Sequence, residues 1–348
     1  MVKVKILELH KHRNETTFRP YLKVHNLFKD YGIEFTQGDS YDFVWIGQAS
    51  IVDKKLPLQQ SIEKGVNFIS KIKGDYFIFD GQDSPSLIGT YEVFKNSNAK
   101  YLLKNSLYKD RSMYKVPSVN GRVHWGVGNY AIPDIDSYVN KIKLSGSNWL
   151  STVNPNWLSY SSPKLNDVCA LFGHGKPGIN MEYGIDNFPP YNLHRKNAMN
   201  FISSLNPSIK VDKLKPGERL NTSEYYNRMF NCKIIINPFG FGEMAPRDLE
   251  AAMFGCILIK PDMSHIESIP MIFEENITYI PVKWNFEDLE EKIDYILNNF
   301  NFLQKELVEN FRLRYEQLYN PKKIVEHIYN LIFPSNFHKI SNGIKLIN

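Results

Sequence analysis

Short apolar runs alternate with segments of helical periodicity along most of the chain. The runs FVWIG (43–47) and YFIFD (76–80) have the length and continuous apolar character of strands buried on both faces. Helical spacing is found at 18–31, 58–71 and 87–96. This alternation predicts a parallel sheet with helices on both faces.

The alternation breaks once, at 145–167, where Ser, Asn, Pro and Trp are crowded together, and it restarts with VCALFG (168–173). Such a break marks a domain boundary, and 348 residues exceed the usual size of one domain. We therefore expect two α/β domains, at 1–150 and 167–318, joined by a linker at 151–166. A C-terminal helix and tail follow at 319–348.

Charge and cysteine usage narrow the class of protein. The net charge of +5 favours anionic ligands, but it falls short of a nucleic-acid footprint and argues against nucleic acid as a partner. Cys169, Cys232 and Cys256 include no CxxC pair, so we expect buried free thiols rather than a disulfide framework or a zinc site. No signal core or run of membrane-spanning length is evident, which predicts a cytoplasmic protein.

The most informative segment is KIIINPFGFGEMAPRDLEAAMFG (233–255), which reads as a strand, a glycine turn and a helix. Gly240 and Gly242 permit close backbone approach, and Pro246 suits the first turn of a helix. Free N–H groups at the helix start, from Met244 to Arg247, add to the helix dipole. The turn therefore predicts an anion site, usually for phosphate.

One interpretation of this turn is a dinucleotide site in an NAD-dependent oxidoreductase. Gly240, Gly242 and Ala245 satisfy G-x-G-x-x-G/A, and Asp262 follows a strand about 20 residues on. Against it, two strand–helix units of the second domain precede the turn, and Lys260-Pro261 is expected to interrupt the strand before Asp262.

A second interpretation starts from two carboxylates. Glu243 would lie beside a bound phosphate, which is unfavourable unless it points at hydroxyl groups. Glu250 lies about two helical turns further on, at a distance suited to a ribose, and Arg247 can bind a diphosphate. Together they describe a nucleotide-diphosphate sugar. A purely structural alternative is a surface helix with an Arg247–Glu250 pair and Leu249 buried.

The segment GFGEMAPRDLEAAMFGCILIKPDMSH (240–265) resembles the donor-binding region of GT-B glycosyltransferases of the family 1 and family 4 type. In those proteins a G-x-G-E turn leads into R-x-x-E-A-x-x-x-G and an apolar strand. The segment YIPVKWNFEDLEEKIDYIL (279–297) is similar to the strand and helix that close the same domain. The resemblance implies two Rossmann-like α/β/α domains facing a cleft, with the last helix returning to the first domain.

The resemblance also assigns roles. Retaining members commonly have two glutamates separated by seven residues, for sugar and ribose. Here Glu243 and Glu250 are separated by six, and Gly242 occupies the first position, which indicates a divergent branch. Basic residues after the first strand of the domain grip the diphosphate in this fold. The predicted donor-binding residues are Gly240, Gly242, Glu243, Met244, Ala245, Arg247, Glu250, Lys176 and Arg195.

By the same resemblance, the acceptor and any general base lie on loops of the first domain. Inverting transfer needs a base that deprotonates the acceptor hydroxyl, whereas retaining transfer often shows none. His10 and His12 follow the first strand, and Asp80 and Asp83 follow a later one. We favour the aspartates, and His124 is a further candidate.

No metal ion or cofactor is expected. The D-x-D at Asp134 and Asp136 suits the opening of a helix, where acidic side chains complement the dipole. The helix start and basic side chains can stabilise a leaving diphosphate without a metal.

The sequence thus predicts a cytoplasmic hexosyl- or pentosyltransferase. It would use a nucleotide sugar and a glycan, lipid-linked glycan or other glycoconjugate acceptor in surface polysaccharide synthesis. Lys322 and Lys323 on an amphipathic last helix leave open peripheral contact with the inner face of the membrane. The alternatives are the oxidoreductase, a nucleotide-sugar-binding partner without turnover, and transfer to DNA, for which salt-dependent DNA binding would be the sign.

Overall fold

The computed structural model describes residues 1–7, 17–116, 131–152, 155–158, 163–173, 180–182, 185–187, 190–240 and 242–334. The strands are β1 (Val2–Leu7), β2 (Ile33–Thr36), β3 (Phe43–Gly47), β4 (Asp75–Asp80), β5 (Tyr101–Lys104), β6 (Ser106–Tyr108), β7 (Ile142–Leu144), β8 (Asn166–Ala170), β9 (Asn180–Glu182), β10 (Ile185–Asn187), β11 (Val211–Lys213), β12 (Cys232–Ile236), β13 (Ile257–Pro261), β14 (Ile266–Ser268) and β15 (Ile280–Val282). The helices are α1 (Arg19–Lys23), α2 (His25–Asp30), α3 (Leu58–Ile69), α4 (Thr90–Lys95), α5 (Pro190–Ser204), α6 (Thr222–Phe230), α7 (Pro246–Met253), α8 (Leu289–Asn298), α9 (Phe300–Leu303), α10 (Glu309–Leu318) and α11 (Pro321–Ile332).

The first sheet is parallel throughout, in the order β2-β1-β3-β4-β5-β7. Alternate residues of each strand point to opposite faces. Val44 and Ile78 belong to one buried cluster, and Trp45 and Phe79 to another. The last helix, α11, contributes Val325 to the cluster around Trp45, so it packs against the first sheet.

The second sheet is also parallel, in the order β11-β8-β12-β13-β15. Val168 and Cys169 on β8 point into separate clusters on its two faces. The predicted fold class, two Rossmann-like α/β/α domains, is therefore confirmed. In each sheet the first strand lies between the second and the third. Their carboxyl ends form the crevice where doubly wound sheets bind ligands.

The two domains are joined by an antiparallel ribbon. Strand β6 of the first domain pairs with β14 of the second. Arg111 forms an ion pair with Glu267 beside this ribbon. The Asn148 side chain donates to Ser268 Oγ and to the Pro270 carbonyl, each at 2.9 Å. These contacts hold the carboxyl edges of the two sheets against each other.

Local structure departs from the sequence predictions in three places. The helix predicted at 18–31 is broken at Val24 into α1 and α2. The helix predicted at 87–96 begins only after Gly89, whose φ is +75°. Lys260 and Pro261 do not interrupt β13. Strand β12 pairs with β13 only as far as Ile259. Pro261 lies beyond this pairing, so its missing N–H breaks no hydrogen bond to β12.

Two further observations concern metal binding and membranes. Asp134 is the N-cap residue of a 3-10 turn at Ile135–Ser137 rather than of an α-helix, Asp136 lies within that turn, and the two pair with Lys95 and Lys115. In the described part of the chain, no helix is both long and apolar enough to cross a membrane.

Candidate functional site

The glycine turn lies between β12 and α7, at the crevice of the second sheet. Arg195 of α5 crosses this crevice. Its Nε donates to the Phe239 carbonyl at 3.3 Å, and its Nη1 donates to the Gly173 carbonyl, just after β8, at 3.4 Å. A Cβ on Gly240 would lie 2.5 Å from Arg195 Nη2. Glycine at 240 lets the guanidinium group lie against the turn, and a side chain there would displace the flexible end of Arg195.

The start of α7 contains a carboxylate of the protein itself. Asp248, which is fully buried, accepts from the Ala245 N–H at 2.9 Å and pairs with Lys260 Nζ at 2.7 Å. Lys260 Nζ also donates to the Glu243 carbonyl at 2.8 Å. Burial lowers the pKa of Lys260, and the Asp248 carboxylate opposes that shift. The anion site was expected at the N–H groups that begin at the buried Met244. Asp248 already binds one of them, the N–H of Ala245.

A tyrosine connects Arg247 and Glu250 of α7. Arg247 Nε donates to the Tyr225 hydroxyl at 3.0 Å, and that hydroxyl donates to Glu250 Oε2 at 2.8 Å. Arg247 Nη1 also donates to Asn237 Oδ1 at 3.0 Å. Burial raises the pKa of Glu250, whereas the Tyr225 hydrogen bond and the Arg247 charge lower it. The expected Arg247–Glu250 contact therefore runs through Tyr225.

The glycine turn touches the first domain directly. A Cβ on Gly242 would lie only 2.0 Å from the Asp83 carbonyl oxygen. The next residue, Glu243, is 2% exposed. One of its carboxylate oxygens lies 3.6 Å from His265 Nε2, and neither oxygen has a hydrogen-bond partner among the described residues. A buried carboxylate with unsatisfied oxygens is costly unless a ligand completes it.

A buried ion pair faces Glu243 from the first domain. Lys104 Nζ, at the end of β5, donates to Asp80 Oδ1 at 2.9 Å and to the Gln82 carbonyl at 3.2 Å. Burial lowers the pKa of Lys104, and the carboxylates of Asp80, Asp83 and Glu243 oppose that shift. Carboxylates of both domains thus act electrostatically on one buried ammonium group. Asp83 itself is half-buried.

The structure brings together most of the predicted site residues that it describes. The glycine turn, Arg195, Arg247 and Glu250 surround the crevice of the second sheet, and Asp80 and Asp83 face the turn. His10, His12, His124 and Lys176 lie outside the described residues. Within the described ranges, no three His, Cys, Asp or Glu side chains are grouped to hold a metal ion.

Several residues of this site were not predicted from the sequence: Gln82, Lys104, Tyr225, Asn237 and His265. Lys104 had a signal, because it ends a strand beside the one that ends at Asp80. His265 lies within the segment that carries the family resemblance, but its contact with Glu243 depends on the loop after β13.

No protein-family model matches the chain, and no curated protein matches it. Solved structures similar to it include Anabaena Alr3699/HepE in complex with UDP, at 11% identity and a TM-score of 0.48, with 95% of this chain and 99% of that chain covered. Sucrose-phosphate synthase from Thermosynechococcus elongatus is 12% identical, with 96% and 100% covered and a TM-score of 0.49. A glycosyltransferase from Rickettsia africae is 14% identical, with 96% and 99% covered and a TM-score of 0.43. The likeness to these three proteins is one of fold.

Proposed function

We propose that the protein is a glycosyltransferase that moves a sugar from a nucleoside-diphosphate sugar to a hydroxyl acceptor. The observation that carries this proposal is the junction of the two sheets. There the Arg195 guanidinium group lies across the glycine turn, and Glu243 presents a buried carboxylate that has no hydrogen-bond partner among the described residues. The turn with its guanidinium group suits a diphosphate, and the carboxylate suits sugar hydroxyl groups.

Each part of the donor has a matching group. The diphosphate would lie on the turn at Gly240, where Arg195 exchanges its weak bonds to main-chain carbonyls for phosphate oxygens. Lys176 and Arg247 would add positive charge. The ribose would bind Glu250, whose carboxylate already accepts a hydroxyl hydrogen bond from Tyr225. The transferred sugar would lie at Glu243. These contacts need no metal ion or cofactor.

On the acceptor side, we assign the general base to Asp83 rather than Asp80. Asp80 is 1% exposed, and its Oδ1 is held by Lys104 and by the Gln82 N–H. Asp83 is half-buried beside the glycine turn, which gives an acceptor hydroxyl access to it. The acceptor we propose is a glycan or glycoconjugate of surface polysaccharide synthesis, modified in the cytoplasm at the inner face of the membrane.

A thermal-shift panel tests the donor site. UDP, GDP, ADP, CDP, their sugars and NAD are added to wild type, Glu250→Ala and Glu291→Ala, a matched control on the exposed face of α8. A donor at 100 times its dissociation constant adds about 2.7 kcal/mol of apparent stability. We expect one nucleotide class to raise the melting temperature of wild type and Glu291→Ala but not of Glu250→Ala.

Two results would point elsewhere. Stabilisation by NAD and by no nucleotide sugar would refute the transferase and support the oxidoreductase. In that case Asp262, which now accepts bonds from Ser264 N and Oγ at 2.7 Å, would have to turn toward a ribose. Donor binding without hydrolysis or transfer to any glycan would instead indicate a nucleotide-sugar-binding partner.

A further inference from the structure

Three buried polar side chains at the domain junction lack hydrogen-bond partners. Gln82 and His265 are each 7% exposed and Glu243 is 2% exposed. Among the described residues, neither polar atom of any of these side chains is hydrogen-bonded. Buried polar groups in proteins are nearly always satisfied, so three unsatisfied ones at one place indicate a ligand site.

The segments that carry the three side chains meet at the contact between the domains. The Gln82 carbonyl accepts from Lys104 Nζ, and the charge of Glu243 opposes the lowered pKa of that ammonium group. The next residue, Asp83, touches Gly242, which precedes Glu243. Glu243 in turn lies 3.6 Å from the imidazole of His265.

The position of His265 is fixed by the ribbon between the domains. Its carbonyl accepts from the Lys109 N–H at 2.9 Å, just before β14 begins. Its ring contacts those of Tyr108 and Phe239, with centroid distances of 6.3 and 6.2 Å. These ring contacts and the main-chain hydrogen bond fix the imidazole near Glu243.

Among the described residues, the carboxylates at this point outnumber the lysines that pair with them. Both buried lysines already have carboxylate partners: Lys104 pairs with Asp80 at 2.9 Å, and Lys260 pairs with Asp248 at 2.7 Å. Glu243 is a further buried carboxylate, and no lysine or arginine of the described ranges forms an ion pair with it. Another anion brought here would be repelled at low dielectric.

We propose that Gln82, Glu243 and His265 form the subsite for the transferred sugar, and that this subsite accepts uncharged sugars and excludes uronic acids and other anionic sugars. The amide of Gln82 can donate to one hydroxyl and accept from another, and Glu243 accepts only. Recognition by such groups rejects a ligand that leaves them unpaired. This inference rests on the proposed function, because it assumes a sugar at the junction.

The first test uses the ligand-free protein. Gln304 has the same 7% exposure as Gln82, but its Nε2 donates to the Gly255 carbonyl at 2.7 Å. We expect Gln304→Leu to lower the melting temperature by about 3 °C or more, because it leaves that carbonyl unpaired. Gln82→Leu should leave the melting temperature unchanged or raise it. An equal loss in both variants would show that Gln82 is bonded within the protein and would overturn the proposal.

The second test compares matched sugars by calorimetry: UDP-glucose with UDP-glucuronate, and GDP-mannose with GDP-mannuronate. We expect wild type to bind the neutral sugar of the preferred nucleotide at least about 10-fold more tightly, and Glu243→Gln to reduce that ratio below about 3-fold. Equal affinity for both sugars, with UDP or GDP bound, would overturn the subsite and leave the proposed function standing. Failure of both diphosphates and all four sugars to bind, together with no response to ADP, CDP or their sugars in the thermal-shift panel, would refute the proposed function, and with it the assignment of a sugar to the subsite.

Discussion

Substitution of Gly242 by alanine probes the contact between the domains. Its φ does not lie in the left-handed region, so alanine causes no backbone strain. The added Cβ would, however, lie 2.0 Å from the Asp83 carbonyl, where real Cβ atoms keep at least 3.0 Å. The glycine turn and the Asp83 loop must therefore separate by about 1 Å, at a cost of about 1–3 kcal/mol.

A displacement of this size matters for catalysis. An error of about 1 Å between reacting groups can lower a rate about 100-fold. We expect Gly242→Ala to lower kcat by about that factor, because the proposed sugar subsite and the proposed acceptor base lie on opposite sides of the contact. The affinity for the nucleoside diphosphate should change less than about 3-fold, because Arg195 and Glu250 belong to one domain.

Gly240→Ala is the matched control. Its Cβ would meet the end of the flexible Arg195 side chain at 2.5 Å rather than main chain. This variant should weaken diphosphate binding and leave the distance between the domains unchanged. Both variants are assayed by donor hydrolysis, transfer and calorimetry. If Gly242→Ala has the kcat of wild type, or if it loses diphosphate binding as Gly240→Ala does, the inferred contact is wrong.

Three further predictions concern stability and catalysis. Lys260→Met leaves Asp248 buried and unpaired, so urea unfolding should show a loss of about 3–5 kcal/mol, and a loss below about 1 kcal/mol would contradict the ion pair. Burial lowers the pKa of His194 from its ordinary 6.5 to about 3. Between these two pKa values only the unfolded chain binds that proton. The His194 contribution to the free energy of unfolding should therefore fall by about 1.4 kcal/mol per pH unit as the pH drops below 6.5, and His194→Phe should remove this pH dependence. Asp83→Asn should lower transfer about 100-fold or more with unchanged UDP binding, whereas an unaltered rate would exclude Asp83 as the base.

The sequence predicted the fold because its strands are strongly marked. Runs such as FVWIG and CILIK are buried on both faces, so their continuous apolar character is itself the signal for a parallel sheet. Helix ends were predicted less well. The break at Val24 and the late start of α4 after Gly89 depend on packing and on one backbone angle, which periodicity does not report.

The site was predictable only where a local motif carried it. The turn at Gly240 and the helix after it have a spacing with a physical meaning, so the sequence could single out Arg247 and Glu250 as candidates, which the structure links through Tyr225. Lys104 and Gln82 meet because β4 pairs with β5, and His265 comes to the same junction because β6 pairs with β14. Nothing in the local sequence around Gln82 indicates that its amide is buried without a partner.

The contact between the domains also accounts for the unusual spacing of the two glutamates. In the glycosyltransferases that the turn resembles, the first glutamate stands where this chain has Gly242. A glutamate at 242 would bring its Cβ within 2.0 Å of the Asp83 carbonyl. At residue 243, the carboxylate instead lies beside His265, which the ribbon between β6 and β14 holds in place. The six-residue spacing is thus the arrangement that a close approach of the first domain permits, because glycine must occupy the point of contact.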